Sequence, residues 1–304
     1  MQDCTFLRSM WRYCFLLGLV CLYGTSSAQV KKHFKIESNS RYQAVTLNYT
    51  SSSGACYVGP GESDEPIAVY SDRDIDEFNH SFDKSTYNSS LEINLSIEAK
   101  NKQTFSQSIS SKVFKSEKPE DNTWKVFLTE DIPYNLNLNY GIGEAYIDLS
   151  DIKVNRFNVK TGSADVNIGY LTDMPNPIVM DTFNVKVDLG NVVVRKLYMA
   201  RAENVKAEVG FGSMLLDLSE APSVPSHVRA SVGAGSMEVL VPKSDCSIVI
   251  RIKDSMLCDV RLTKSFREIS SNVYVNDSYD EDSDNQLSFD VDVSLGSITF
   301  KEKR

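Results

Sequence analysis

The sequence predicts an all-β protein, a repetitive β-solenoid-like stack of short strands with glycine corners. Three observations support this fold class: a repeat at a fixed spacing, the alternation of apolar and polar residues inside each copy, and a Gly-x-Gly between the alternating runs. A fixed period of this length is typical of stacked supersecondary units, each of which buries its apolar face only when a neighbour covers it.

The repeat is clearest in residues 205–214 (Val-Lys-Ala-Glu-Val-Gly-Phe-Gly-Ser-Met) and residues 228–237 (Val-Arg-Ala-Ser-Val-Gly-Ala-Gly-Ser-Met). The two copies share seven of ten positions at a period of 23 residues. Residues 136–150 align without a gap on the first of these copies and its continuation. Residues 291–298 are a more distant copy of residues 185–192.

Within each copy, apolar residues recur at every second position, as in Phe183, Val185, Val187 and Leu189. A period of two predicts strands with one buried face and one wet face. The Gly-x-Gly stands where the chain must bend, and glycine adopts the backbone angles that a bend requires. A phosphate-binding role is disfavoured, because the third glycine and the following helix of a dinucleotide fingerprint are missing.

The tripeptide Asn-Val-Lys occurs at residues 158–160, 184–186 and 204–206. If the three copies are equivalent, they place a row of basic side chains along the stack: Lys160, Lys186, Lys206 and the repeat-related Arg229. This row predicts a basic stripe that binds acidic glycans or wall polymers. Directly stacked like charges repel, so we expect Asp188 or Glu208 to interleave with them.

The repeats resemble a known family. Residues 141–150 (Gly-Ile-Gly-Glu-Ala-Tyr-Ile-Asp-Leu-Ser), 159–168 (Val-Lys-Thr-Gly-Ser-Ala-Asp-Val-Asn-Ile) and 232–242 (Val-Gly-Ala-Gly-Ser-Met-Glu-Val-Leu-Val-Pro) are similar to the repeats of the bacterial putative-adhesin or toastrack β-domains. Similar domains form the C-terminal part of envelope-stress proteins that sense cell-wall-active antibiotics. The resemblance covers about residues 125–300. It implies an extracytoplasmic, toastrack-like scaffold without catalysis and carries over no functional residue.

Residues 1–28 have the layout of a secretory signal peptide, with Arg8 and Arg12, an apolar run over residues 13–23, and Ser26-Ser27-Ala28. The apolar run is short for a membrane span. We expect cleavage after Ala28. Lipidation at Cys21 is the less favoured alternative, because the preceding valine is bulky.

We therefore predict three parts: a signal peptide over residues 1–28, an N-terminal β region over residues 29–124 that extends or caps the stack, and a toastrack-like β-repeat domain over residues 125–304. Residues 115–122 are charged and polar and predict an internal linker. The expected location is outside the cytoplasm, in the periplasm, on the cell surface or in the medium.

The chain is acidic, with a formal net charge of −9. Removing residues 1–28 takes away Asp3, Arg8 and Arg12, which makes the net charge −10. This balance excludes nucleic acid as an expected partner, because phosphate binding needs a basic footprint. We expect no transmembrane helix after signal cleavage, since no other stretch is long and apolar enough.

Cleavage would leave three cysteines, Cys56, Cys246 and Cys258. Cys246 and Cys258 flank strand-like runs. Two interpretations therefore remain: a disulfide between them, or buried cysteines with free thiols.

Candidate catalytic and metal sites are weak. Asp148 and Asp217 occupy one repeat position, but solvated outward carboxylates are favoured over a glycoside-processing pair. The acidic run at residues 277–285 lacks the glycine and the bidentate glutamate of a calcium loop, which favours a solvated hairpin loop. His33, His80 and His227 are far apart in sequence, without zinc-ligand spacing. We therefore predict no catalytic residue, no metal and no cofactor.

The function predicted from the sequence is a non-catalytic, exported cell-envelope or surface protein for adhesion, binding or scaffolding. The expected partner is an envelope polymer, a glycan or another surface protein. Exposed end strands leave self-association open. The alternatives are a carbohydrate-active enzyme on a β-solenoid and a purely structural spacer.

Overall fold

Successive rungs of the stack pair in parallel, and each rung consists of two extended segments on either side of a corner. The computed structural model describes residues 31–39, 41–100, 123–243, 246–253 and 259–303. Its strands are β1 (Lys31–Ile36), β2 (Ala44–Pro60), β3 (Ile67–Ser71), β4 (Phe78–Tyr87), β5 (Ser90–Ala99), β6 (Thr123–Leu128), β7 (Tyr134–Asp148), β8 (Val154–Gly169), β9 (Met180–Val187), β10 (Asn191–Val194), β11 (Ala202–Val209), β12 (Ser213–Asp217), β13 (Ser226–Val232), β14 (Ser236–Val241), β15 (Ile248–Ile252), β16 (Asp259–Arg261), β17 (Arg267–Ser270), β18 (Val273–Val275), β19 (Leu287–Val293) and β20 (Ser297–Glu302). Within these ranges two short 3₁₀ turns, Ile75–Glu77 and Leu197–Ala200, lie between strands.

The strand pairing follows two paths, which we call the first sheet and the second sheet. In the first sheet the strand order is β4, β5, β2, β7, β8, β9, β11, β13, β19, β15, β18, β17. In the second sheet it is β1, β3, β6, β2, β7, β8, β10, β12, β14, β20, β16. The long strands β2, β7 and β8 run through both sheets.

The order of the rungs in space departs from the order in the chain at both ends. β5 and β6 lie outside β2, which pairs on its other side with β7. Likewise β19 and β20 lie between the β13/β14 rung and the β15/β16 rung. Antiparallel strands cover the ends: β4 on β5, β3 on β6, and β18 on β15. The strands of residues 31–99 thus belong to the same stack as the repeats.

The core lies between the two sheets and is built from columns of equivalent residues. One column of the first sheet is buried throughout and contains Ile93, Leu47, Leu136, Phe157, Phe183, Val205, Val228, Phe289 and Ile250. The rings of Phe157 and Phe183 lie 4.8 Å apart. Burying each such side chain contributes about 1.5–3 kcal/mol. The alternation seen in the sequence therefore places one face of the repeat strands in this core, whereas β17 is exposed along its length.

The corners are closed by a ladder of glycines. A Cβ on Gly212 would lie 2.0 Å from the carbonyl oxygen of Gly190, and one on Gly235 would lie 2.2 Å from that of Gly212. Gly296 stands in the same relation to Gly235, again at 2.2 Å. A side chain at any of these three positions would collide with the backbone of the neighbouring rung. The predicted all-β, repetitive stack with glycine corners is confirmed, and so is the alignment of residues 205–214 on residues 228–237.

We expect Gly212→Ala to lower the free energy of unfolding by about 1–3 kcal/mol, because overpacking against a backbone carbonyl forces the rungs apart. Gly162→Ala is the matched control, since its Cβ would meet the nearest atom at 3.1 Å. Urea unfolding followed by circular dichroism measures both. Equal stabilities of the two variants would contradict the glycine ladder.

Candidate functional site

A cleft of about 960 Å³ lies on the outer face of the second sheet. Its floor is formed by adjacent segments of β6, β2, β7, β8 and β10. One wall is the segment after β2, which begins at Gly61 and is held by a hydrogen bond from Gly61 N to the Leu128 carbonyl oxygen (2.8 Å). Leu171, which follows β8 and also lines the cleft, donates its backbone N–H to Ser150 Oγ, just after β7, at 2.7 Å. The segments after β2 and β8 are therefore each tied by a hydrogen bond to a neighbouring strand or turn.

Aromatic side chains from four strands line this cleft. Tyr57 on β2 and Tyr146 on β7 occupy paired positions of neighbouring strands. The ring centroid of Phe127 on β6 lies 5.7 Å from that of Tyr57 and 5.7 Å from that of Tyr70 on β3. Aromatic rings in a cleft provide large apolar contact surfaces with a fixed orientation.

Tyr57 lies along its own strand over Gly59. A Cβ on Gly59 would come within 2.3 Å of Tyr57 Oη and 2.6 Å of Tyr57 Cζ. The absence of a side chain at position 59 therefore allows the ring to rest on the backbone of β2. This contact of the Tyr57 ring with Gly59 gives the cleft a flat aromatic surface. Packing within the protein, rather than a ligand, holds the surface in place.

The charged groups of the cleft are mainly carboxylates. Glu62, Glu144, Asp148 and Asp165 line it, against Lys125 and Arg195. The side chain of Asp148 is nearly buried and accepts a hydrogen bond from Ser150 N at 3.0 Å. Burial, and after it the negative charge of Asp148, raises the pKa of Tyr57 to about 12. The Tyr57 hydroxyl is therefore protonated at neutral pH and can act as a hydrogen-bond donor.

A second hollow of about 440 Å³ continues from the cleft along the same sheet face, and Asn191 and Val193 line both. In this direction a row of polar side chains crosses the strands. Asn191 Nδ2 donates to Asp165 Oδ1 at 2.9 Å, and Ser213 Oγ donates to Asn191 Oδ1 at 2.6 Å. The outer face of the second sheet is thus concave over several rungs and suits an extended ligand.

The predicted basic row is split between two positions on the first sheet. Lys160 pairs with Lys186, and Lys206 pairs with Arg229, as adjacent residues of neighbouring strands. However, the residue opposite Lys186 on β11 is Glu208, not Lys206. The prediction that Lys160, Lys186, Lys206 and Arg229 are equivalent is therefore wrong, because the third Asn-Val-Lys is shifted by two residues relative to the others.

Glu208 interleaves with these cations, as the sequence predicted. Its carboxylate lies 2.5 Å from Lys206 Nζ and 3.8 Å from Lys186 Nζ. The hydrogen bond from Lys206, followed by the charges of neighbouring lysines, lowers the pKa of Glu208. This part of the first sheet is consequently a surface of mixed charge rather than a continuous basic stripe.

Asp148 and Asp217 do hold equivalent positions, but they are not solvated as predicted. Each is only 8% exposed, and each accepts a hydrogen bond from the backbone N–H two residues later, Ser150 at 3.0 Å and Ser219 at 3.1 Å. Gly169 and Arg195 occupy the two rungs between them. Three strand spacings separate the carboxylates by about 14 Å, which exceeds the separation used by glycosidases. These aspartates act as turn caps.

The remaining sequence candidates do not converge. Residues 276–286 form a loop between β18 and β19, and no group of three or more His, Cys, Asp or Glu within the described ranges could hold a metal ion.

Cys56 and Cys246 are buried and have no disulfide partner among the described residues. Cys258 lies outside the described residues. The predicted signal peptide and the predicted linker at residues 115–122 also lie outside them. No helix in the described segments is long and apolar enough to span a membrane.

Sequence reasoning missed the cleft. Its aromatic residues come from segments that are far apart in the chain, and only strand pairing brings them together. One feature of the sequence could have indicated the cleft. In the alternating run over residues 144–149, Tyr146 is an aromatic residue at a position that faces outward from the strand.

We expect Asp148→Asn to lower the pKa of Tyr57, because removing a nearby negative charge makes the phenolate easier to form. The pKa should stay above its ordinary value of 10, since burial is the larger cause of the shift. NMR of ¹³C-labelled tyrosine over a pH titration measures this, with Tyr57→Phe assigning the resonance. An unchanged pKa would contradict the proximity of the two groups.

No curated protein matches this sequence. Among solved structures, a putative cell adhesion protein from Clostridium sporogenes is 19% identical, with a TM-score of 0.39, and the match covers 90% of this chain and 100% of that one. A putative adhesin from Bacteroides fragilis is 13% identical, with a TM-score of 0.35, and the match covers 90% of this chain and 98% of that one. Similarity at this level supports no conclusion about function.

A protein family described as the N-terminal domain of toast_rack (DUF2154) matches residues 25–191, more than half of the chain. The match begins well before residue 125, where the resemblance in the repeats was expected to start. It includes the five aromatic residues that line the cleft: Tyr57, Tyr70, Phe127, Tyr146 and Tyr170. With its stack of parallel β repeats, the chain belongs to the toast_rack N-terminal domain family.

Proposed function

We propose that this toast_rack protein is a non-catalytic, exported protein of the cell surface or envelope that binds an external polymer or surface partner. The observation that carries the proposal is the cleft lined by Tyr57, Tyr70, Phe127 and Tyr146 on the outer face of the second sheet. Concave sites with aromatic walls and a few polar groups are the usual places for ligands. The hollow that continues from it suits an extended molecule.

A binding role accounts for the arrangement of side chains better than catalysis. Cleavage of a glycosidic bond by the usual route needs two carboxyl groups within about 10 Å across one bond. Asp148 and Asp217, the repeat-related pair, are too far apart for this and are engaged in turns. Glu144 and Asp165 are neighbours on β7 and β8, but Asp165 accepts hydrogen bonds from the backbone N–H and the side-chain amide of Asn191. A purely structural spacer would not need an aromatic ring seated on a glycine inside a cleft.

Export is proposed from residues 1–28, whose basic, apolar and small-residue segments match a signal peptide. The division into residues 1–28, 29–124 and 125–304 is retained as a proposal about the chain. For self-association, the strands that pair on one side only within the described residues are β1, β4, β16 and β17, and we take β16 as the example. It carries an ion pair between Asp259 and Arg261 at 2.6 Å, and charges on an edge strand oppose edge-to-edge pairing.

We expect the purified protein to be retained saturably by isolated cell-envelope material, with no release of soluble sugars in the same tubes. Tyr146→Ala should lower this retention at least fivefold, because it removes an aromatic wall of the cleft. Tyr87→Ala, which changes a tyrosine that is 78% exposed on β4 of the first sheet, is the matched control. Product release would favour an enzyme, and the absence of both retention and release would favour a spacer.

The basic positions of the first sheet are a second proposed contact, for acidic polymers. We expect simultaneous charge reversal at Lys160, Lys186 and Lys206 to weaken retention of acidic polymer and to leave the cleft intact. The expected loss is small, about threefold, because Glu208 already neutralises part of the row. Unchanged retention at low salt would refute a contribution from these residues.

A further inference from the structure

We propose that the cleft recognises a saccharide and that Tyr57 is the platform on which a sugar ring stacks. This inference rests on the proposed function and specifies the class of ligand.

The floor of the cleft offers a ligand side chains but no unpaired strand edge. β6 pairs with β3 and β2, and β2 pairs in turn with β7. β7 pairs with β8, β8 with β10, and β10 with β12. An extended peptide that binds by adding a strand needs a free edge. The geometry therefore disfavours such a peptide and favours a ligand that is recognised through its faces and its hydroxyl groups.

The seat of Tyr57 on Gly59 supplies the flat surface that a sugar ring requires. One face of a pyranose carries only C–H groups, which pack against the electron-rich face of an aromatic ring. Because position 59 has no side chain, the Tyr57 ring rests on β2. Phe127 and Tyr146 flank it from the neighbouring strands. The platform is thus held in place before any ligand arrives, which reduces the entropy lost on binding.

The polar groups around the platform are matched to hydroxyl groups. A sugar hydroxyl both donates and accepts hydrogen bonds. The carboxylates of Glu144, Asp148 and Asp165 accept, while Lys125 and the Tyr57 hydroxyl donate. Carboxylates outnumber cations in the lining, so a phosphate-rich or otherwise polyanionic ligand is repelled. The ligand class is therefore a neutral or amine-bearing saccharide rather than a nucleic acid or an acidic polymer.

The test is titration of the purified protein with soluble oligosaccharides, followed by saturation-transfer NMR and calorimetry. The probes are hexamers of β1,4-linked N-acetylglucosamine, β1,4-linked glucosamine, β1,4-linked glucose and α1,4-linked glucose. We expect at least one hexamer to bind, and Tyr57→Ala to lower its affinity at least tenfold. Gly59→Ala should have a similar effect, because the new methyl group displaces the Tyr57 ring while leaving every other side chain of the cleft unchanged. Tyr57→Phe, which keeps the ring, should stay within threefold of the parent protein.

Tyr87→Ala is again the matched control, and thermal unfolding establishes that each variant is folded. Binding that survives both Tyr57→Ala and Gly59→Ala would overturn the platform, as would loss of binding in Tyr57→Phe. If no hexamer binds but envelope material is still retained in a manner sensitive to Tyr146→Ala, the saccharide class is wrong and the proposed function stands. If neither the hexamers nor the envelope material bind, both proposals fail.

Discussion

The close approach of successive backbones at the corners is the constraint on which the rest of this structure depends. At Gly190, Gly212, Gly235 and Gly296 a Cβ would lie 2.0–2.2 Å from a carbonyl oxygen of the adjoining rung. The strands before and after each corner are therefore held at one register, with no freedom to slide. A slip of one residue would turn the entire apolar set of a strand towards solvent.

Because the register is fixed, residues that recur along the sequence line up in rows across the strands. Inside the stack it aligns the apolar columns, and outside it aligns polar residues of the same kind. Asn48 Nδ2 donates to Asn94 Oδ1 at 2.9 Å, Asn137 to Asn48 at 2.8 Å, and Asn158 to Asn137 at 2.9 Å. The cleft arises by the same rule, since Tyr57, Tyr146 and Asn167 are consecutive members of one outward row. Fold and candidate site are thus two results of a single pairing scheme.

The fold class could be predicted because its signals are local: the alternation of apolar residues and the glycine corners recur within about 25 residues. The details of register could not, because the spacing between rungs varies. Phe157 and Phe183 are paired at a separation of 26 residues, whereas Phe183 and Val205 are paired at 22. The third Asn-Val-Lys therefore suggested the wrong equivalence for Lys206, which does not pair with Lys186. The cleft depends on contacts between distant segments and on the seat of one tyrosine on one glycine, which no repeat pattern specifies.

The exchange of rung order at the C-terminal side has a consequence for how the protein is made. β15 and β16 precede β19 and β20 in the chain, yet they reach the stack only through them. A chain that emerges from a ribosome or a translocation channel with its N-terminus first cannot add these rungs one after another. β15 and β16 must wait without their parallel partners until β19 and β20 have arrived and inserted. During that interval β15 has only its antiparallel partner β18, so its other edge stays unpaired, and unpaired apolar strands are prone to aggregation.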